Sequence, residues 1–368
     1  MGIESAYGDW CRSDRHSIYE RFPTFNKWLD EKGEDAERWL DDVGLLKLGV
    51  PSKALFAGDY PAYRVALERY MDERRFQALG GSYFDNFWLS HNRSNYERLL
   101  DAIRARVAIP FVGAGASMNA GYSAWASHLL DQARLAGIPN AEARIAKGEF
   151  EEIVDEIMND NKPVFIASIR RDFLKPPTSL DFHAALLKLF QNVVVTTNYD
   201  PCLELTYRQL DVSFSHLFAK EPDNQALIAA TTNRRSMLLK IHGDIEAPST
   251  CVLTKTQYEE AYGKYSIDFS LPIPRKLRRV YETMSLVFVG CSLLKDRTLE
   301  VFAKVMEERG PSDLPSHFAF VEAPPTEEGL VERNKFLLAL GISPIFYPPG
   351  EHRFVREMID MLTVEEGG

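Results

Sequence analysis

The 368-residue sequence predicts an α/β fold, a Rossmann-like parallel sheet with helices on both faces. Three observations carry that expectation. Short, near-continuous apolar runs recur along the chain, as strands buried on both faces require. Stretches of helical periodicity separate them. Four of the runs end in glycine-rich or polar clusters, and in open parallel sheets the ligand crevice lies outside the carboxyl ends of the strands.

The runs are Val107 to Val112, Val193 to Thr196, Met237 to Ile241, Leu286 to Val289, Phe318 to Val321 and Pro344 to Tyr347. A helix beginning at Asn95 leads into the first. The last two are separated by Thr326 to Leu340, a helix closed by Gly341, where glycine can take the left-handed cap.

The first run passes into Gly113-Ala114-Gly115-Ala116-Ser117. Gly113 and Gly115 lack a Cβ, so the turn is expected to use conformations closed to other residues. The N–H groups at the start of the next helix can then face an anion such as a nucleotide diphosphate. An isolated GxG is as often only a tight connection. Three more clusters argue against coincidence: Thr196-Thr197-Asn198-Tyr199-Asp200, Lys240-Ile241-His242-Gly243-Asp244, and Val289-Gly290-Cys291-Ser292, with Asp296 four residues on.

Each polar residue also has a structural role open to it. Asn198 can donate and accept at once, which suits a ribose hydroxyl and a water, yet it also suits a turn. Asp200 is as readily the cap of a helix beginning at Pro201 as a ligand contact. Ser117 either touches phosphate or caps, and Ser292 and Asp296 likewise. A lone strand-end His242 is commonly a satisfied polar residue. His183, in a helix before the second run, reads as structural.

The ordered set GAGAS, TTNYD, KIHGD and VGCS resembles the sirtuin fold family, more closely the sirtuin-like NAD-consuming enzymes of bacterial antiphage defence than the protein deacylases. The resemblance covers roughly Asn95 to Thr363. It implies that Gly113, Ala114, Gly115 and Ser117 hold the NAD diphosphate. Asn198, flanked by Thr197 and Asp200 at the NAD site, would orient the nicotinamide ribose and the reacting water, with His242 as general base. Gly290 to Ser292 would line the adenosine side. The implied activity is that of an NAD glycohydrolase, the toxic effector of an abortive-infection system, with NAD as substrate. The alternatives are an NAD-dependent protein deacylase or ADP-ribosyl transferase, and a non-catalytic nucleotide-binding subunit. Tyr258 falls in a segment, Thr254 to Tyr262, that resembles one near the family's NAD site, without a role that can be assigned from sequence.

Two departures bear on the deacylase alternative. Sirtuin deacylases usually carry two Cys pairs around a structural zinc, whereas Cys11, Cys202, Cys251 and Cys291 are scattered with no CxxC, so no zinc is expected. The deacylases' PDFR stretch is also replaced, by Asn119-Ala-Gly-Tyr-Ser-Ala-Trp125.

Residues 1–94 read as a helical N-terminal extension rich in aromatics, in which Tyr63, Ala66, Leu67 and Tyr70 make one apolar face. Residues 95–368 read as the sirtuin-like catalytic domain, with a helical insert at about 122–177 in place of the zinc module. A second insert, Thr254 to Arg279, is expected to be broken at Pro272 and Pro274, and the tail from Glu365 to be frayed.

A net charge of −10 argues against nucleic acid as a partner, because neutralising phosphates takes clustered Lys and Arg. The two small basic clusters, Arg170-Arg171 and Lys276 to Arg279, read as solvated helix faces. No apolar run is long enough to span a bilayer and Met1 to Trp10 carries no secretory pattern, so a cytoplasmic location is expected. A toxic activity needs restraint, so the expected assembly is a homo-oligomer controlled by a separately encoded partner, a HerA-type ATPase or another nucleotide-processing protein by resemblance.

Overall fold

The computed structural model describes residues 16–294 and 296–366. Seven strands form one parallel sheet: β1 (Ala108–Val112), β2 (Val193–Thr196), β3 (Ser215–Phe218), β4 (Met237–Lys240), β5 (Ser285–Val289), β6 (His317–Glu322) and β7 (Ile342–Tyr347). Their spatial order is β3-β4-β2-β1-β5-β6-β7. Six strands coincide with the apolar runs. The seventh, β3, is an addition: it lies at the sheet's edge with Ser215 and His216 exposed, so it needs no continuous apolar run.

Side chains alternate across the sheet with period two. Ile109, Phe111, Val195 and Phe288 enter one core, and Val112, Val194, Leu238 and Val287 the other. From β1 the chain builds outward through β2 to β4, then returns to the other side of β1 for β5 to β7. The winding therefore reverses between β1 and β5, and that switch point is where a crevice opens at the carboxyl edge.

In the extension, helices α1 (His16–Tyr19), α2 (Pro23–Asp30), α3 (Glu34–Asp42), α4 (Pro51–Gly58) and α5 (Tyr60–Ala78) enclose a small core of their own around Phe25, Leu29, Phe56 and Tyr63. The aromatics are its filling: Tyr63 is buried and donates to Asn26 Oδ1 at 2.6 Å. Trp10 and Cys11 lie outside the described residues. Helix α6 (Asn86–Arg104), capped by Asp85, runs unbroken through position 94. Its Asn92 donates to the Phe346 carbonyl and accepts from the Phe346 N–H, both in β7.

The insert folds as α7 (Trp125–Leu135), α8 (Ala141–Ala146) and α9 (Phe150–Phe173), the last kinked at Asn161, two residues before Pro163. Its core joins Leu129, Val154 and Phe165 to Tyr199 and Leu253 beside the sheet edge. The remaining helices pack on the sheet: α10 (Asp181–Leu189), α11 (Cys202–Gln209), α12 (Gln225–Asn233), α13 (Lys255–Tyr262), α14 (Pro272–Thr283), α15 (Arg297–Arg309), α16 (Glu327–Ala339) and α17 (Arg353–Glu366).

Three expectations are corrected here. Pro272 opens α14 instead of merely breaking the segment, since proline's fixed φ suits the first helical turn. Lys276 is not on a solvated face. It is wholly buried, donates to the carbonyls of Ala219 and Glu221, and burial lowers its pKa to about 8. Glu365 is not frayed: it is buried and pairs with Arg75 of α5 at 2.5 Å. Among the described residues no helix is long and apolar enough to cross a membrane.

Candidate active site

A cavity of about 680 Å³ lies over the carboxyl edge of the sheet, and the four sequence clusters converge on it. Gly113, Ala114 and Gly115 reach it from β1, and Thr197, Asn198 and Asp200 from β2. His242 reaches it from β4, and Gly290, Cys291 and Ser292 from β5.

The glycines are there for a reason other than the one expected. Gly113 has an extended φ of −105°, and neither it nor Gly115 has a positive φ. What excludes a side chain is the neighbouring loop: a Cβ would stand 2.5 Å from the Gly290 carbonyl oxygen at Gly113, and 2.9 Å at Gly115. Gly290 itself has φ +69°. The GAG and VGCS loops therefore pack backbone to backbone across the switch point. The N–H groups of Gly113 and Gly115 are used in this packing, donating to the carbonyls of Val289 and Gly290. The segment beyond, Ala114–Ala120, is a 3-10 helix.

Ser117 stands behind the cavity wall. It is buried, with its hydroxyl between Asn198 Nδ2 (3.3 Å) and His183 Nε2 (3.4 Å). His183 is thereby a buried support, and burial lowers its pKa. Asn198 Nδ2 also donates to the Gly113 carbonyl at 3.1 Å, and its backbone N–H to Thr196 Oγ1. A carbonyl only accepts, so the amide must face it with nitrogen. The group Asn198 has left for a ligand is therefore an acceptor oxygen, not the donor and acceptor together. Asp200 lines the cavity and closes a tight turn ahead of α11: its Oδ1 accepts from the Cys202 N–H at 3.1 Å, with Pro201 at the helix's cap position.

His242 is half-buried on the cavity wall beside two tyrosines. Its Nε2 is 2.8 Å from the Tyr262 hydroxyl, and its ring meets Tyr258 edge-on at 5.2 Å. Burial lowers its pKa to about 4, so the ring is neutral at pH 7. The Tyr262 hydroxyl lies 3.5 Å from Thr298 Oγ1 at the head of α15. If Nε2 carries the proton and donates it to Tyr262, Nδ1 is left as the acceptor. Tyr258, unassigned from sequence, stacks on Tyr262 and lines the cavity.

Asp296 caps α15 through the Leu299 N–H at 2.8 Å while facing the cavity. Ser292 is exposed at the rim, and its carbonyl is held by Arg333 Nη2 at 2.6 Å.

Several wall residues had no signal in the sequence. Trp125, Phe150, Val154 and Phe173 of the insert form an apolar side. Glu151 of α9 pairs with Arg297 of α15 at 3.3 Å, tying the insert to the core domain at the cavity's edge. Lys240, which opens the KIHGD cluster but was given no role from sequence, is wholly buried in a strand of apolar neighbours.

The described cysteines are dispersed: Cys251 Sγ lies 3.2 Å from the Asp244 carbonyl, Cys291 Sγ 3.4 Å from the Phe111 carbonyl, and Cys202 is buried on α11. Glu204, His216 and Asp244 stand close enough to suggest a cation site, but the Lys240 ammonium already sits 2.9 and 2.8 Å from the two carboxylates.

Residues 192–345 match the family model of the SIR2-like domain. The strand β1 that carries the GAG turn lies outside that match but pairs with β2 and β5, both inside it. The chain is 26% identical over 234 residues to the NAD(+) hydrolase ThsA of Bacillus cereus (strain MSX-D12), covering 57% of this chain and 45% of that protein. It is 28% identical over 206 residues to the NAD(+) hydrolase ThsA of Enterococcus faecium, covering 53% of this chain and 39% of that protein. The matches thus span less than half the length of either relative.

Proposed function

We propose that this chain, a sirtuin-like protein with a SIR2-like domain in residues 192–345, hydrolyses NAD to nicotinamide and ADP-ribose. The observation that carries the reading is the convergence of the four clusters on one cavity at the β1/β5 switch point, with Asn198 and His242 both on its wall. The similarity to two NAD(+) hydrolases supports it.

In this reading the dinucleotide spans the switch point, its diphosphate over the GAG turn and its nicotinamide ribose toward Asn198 and His242. The acceptor oxygen of Asn198 orients a ribose hydroxyl or the water. Water adds to the anomeric carbon as the bond to nicotinamide breaks. The bonding pair goes to the ring nitrogen, discharging the pyridinium, and the water's proton goes to His242 Nδ1. With a pKa of about 4 this is a weak base, which suffices because nicotinamide is a good leaving group and a proton is lost only as the bond forms. The apolar wall of Trp125, Phe150, Val154 and Phe173 would shield this side of the reacting centre from water.

Chromatography of products from the purified chain and NAD tests the reading. Nicotinamide and free ADP-ribose in equal amounts are expected. Nicotinamide released only with an acyl-lysine peptide would make the chain a deacylase, and NAD bound without turnover would make it a sensor. The biological setting we propose is a cytoplasmic antiphage effector acting as a homo-oligomer, restrained by a separately encoded partner such as a HerA-type ATPase. The exposed aromatics Tyr83 and Phe87, at the junction of extension and domain, are the surface this assembly would use. Light scattering that finds a monomer at micromolar concentration would remove the oligomer from the proposal.

A further inference from the structure

Lys240 is the last residue of β4 and is wholly buried, two positions before His242. A buried ammonium is costly unless every proton finds an acceptor. Here each does: Nζ lies 2.9 Å from Glu204 Oε1, 2.8 Å from Asp244 Oδ2 and 3.3 Å from the Asp200 backbone carbonyl. These acceptors come from three elements. Asp200 ends the TTNYD loop two residues after Asn198, Glu204 lies on α11 behind that loop, and Asp244 follows His242 in the HGD turn.

The turn depends on its carboxylate in turn. Asp244 Oδ1 accepts from the Glu246 N–H at 2.8 Å, and the Asp244 N–H donates to Thr250 Oγ1 at 3.0 Å. Also facing the cluster are His216, whose Nε2 is 3.8 Å from Glu204 Oε1, Tyr207 of α11, and the thiols of Cys202 and Cys251, the latter 3.2 Å from the Asp244 carbonyl. Among the described residues Glu204 Oε2 has no partner. A cluster built only for stability would not need a charge here, because apolar groups of similar volume serve as well or better.

We propose that Lys240 is a positioning residue: its ammonium ties the loop carrying Asn198 to the turn carrying His242 and so fixes the two relative to each other. This rests on the NAD-hydrolase reading for its catalytic consequence, but not for the structural tie itself. Fixing two groups on separate loops matters because small misplacements of reacting groups lower turnover steeply while leaving ground-state binding largely intact.

The test uses the full chain and the double variant Lys240→Met/Glu204→Gln, which removes the cation and one carboxylate and so keeps the cluster's net charge. Backbone hydrogen exchange is expected to rise about tenfold or more in both 197–201 and 243–251, and to stay unchanged in the sheet. With NAD as substrate, kcat is expected to fall about 30-fold or more with KM within about threefold. Parent-like protection of both loops, or parent-like kcat in a folded variant, overturns the proposal.

Should the double variant not fold, Asp244→Asn keeps the lysine and the shape while weakening one limb. It should loosen both loops, and loosening confined to 243–251 would overturn the tie. A parent that binds no NAD and turns none over defeats the hydrolase reading alone, since the exchange measurement still decides the positioning role.

Discussion

A Cβ on Gly290 would stand 2.2 Å from the amide nitrogen of Ala116, closer than any real contact allows. The two loops at the switch point therefore fit together only as bare backbone, and Gly290 adds a left-handed φ of +69°. Gly290→Ala should cost about 2–4 kcal/mol from the clash and the backbone strain together. It should also abolish NAD turnover, because the loops must part. Denaturant unfolding checks the first part, and a variant within about 0.5 kcal/mol of the parent would refute the packing argument.

Asn198 separates chemistry from stability in an unusual way. Asn198→Ala should abolish turnover at a cost of about 1–2 kcal/mol for the lost bonds to Gly113 and Ser117. Asn198→Asp should be worse for the fold, since it points a carboxylate at the Gly113 carbonyl in a buried site. Melting temperatures that rank Asp above Ala would mean that the amide orientation is wrong.

The fold was legible because parallel strands buried on both faces must be apolar throughout, and runs such as Val193 to Thr196 can hardly be anything else. The edge strand β3 was hidden by the same logic, as only Leu217 of its four residues is buried. The site's polar members were legible because they cluster at strand ends. Its walls were not: Trp125 and Phe173 come from an insert whose helical pattern shows that it buries a face but not against what. Lys276 and Glu365 show the limit of reading charge as exposure. Each is buried because carbonyls in one case, and Arg75 in the other, meet the charge from elements far away in sequence.

Tyr262→Phe tests the proton path from His242. The hydroxyl is the partner of His242 Nε2 and also lies near Thr298 Oγ1, and the ring is fully buried, so the substitution removes these polar contacts and no packing. We expect turnover to fall about 10- to 100-fold while stability changes by about 1 kcal/mol. Unchanged kcat would show that the tautomer of His242 is set elsewhere.

Acid should destabilise the protein in a defined window. His317 is wholly buried, stacks on Tyr281 with centroids 3.9 Å apart, and accepts from the Leu286 N–H on Nδ1; burial lowers its pKa to about 3. Its folded pKa lies below the unfolded value of about 6.5, so below that pH the unfolded chain binds a proton that the folded chain refuses. Stability is then unaffected above pH 6.5 and declines as pH falls toward about 3, by up to about 1.4 kcal/mol per pH unit for this group. His242 adds to the loss down to about pH 4. Urea midpoints between pH 7 and pH 5 give the slope, and His317→Asn should make it shallower. An identical slope in that variant would place the acid sensitivity in other groups.

The junction between the extension and the sheet makes the last prediction. Position 94 lies inside α6, and Asn92, two residues earlier, pairs with both backbone groups of Phe346 in β7. A chain starting at residue 95 would strip both groups of their Asn92 partner and would also remove Trp88, which packs edge-on against Phe346 at 5.7 Å, opening the edge strand β7 to solvent. Losing two hydrogen bonds to the sheet edge together with the Trp packing costs about 5 kcal/mol, comparable to the whole stability of many domains. Residues 95–368 should therefore aggregate or fail to fold. A chain starting at Gly80 keeps α6 with its Asp85 cap, losing instead the Arg75 partner of Glu365. It should fold with reduced stability, because α5 and the Arg75 pair with Glu365 of α17 are gone. Circular dichroism melts of the two truncations decide the matter: equal stability of both would show that Asn92 and Trp88 contribute nothing to the sheet.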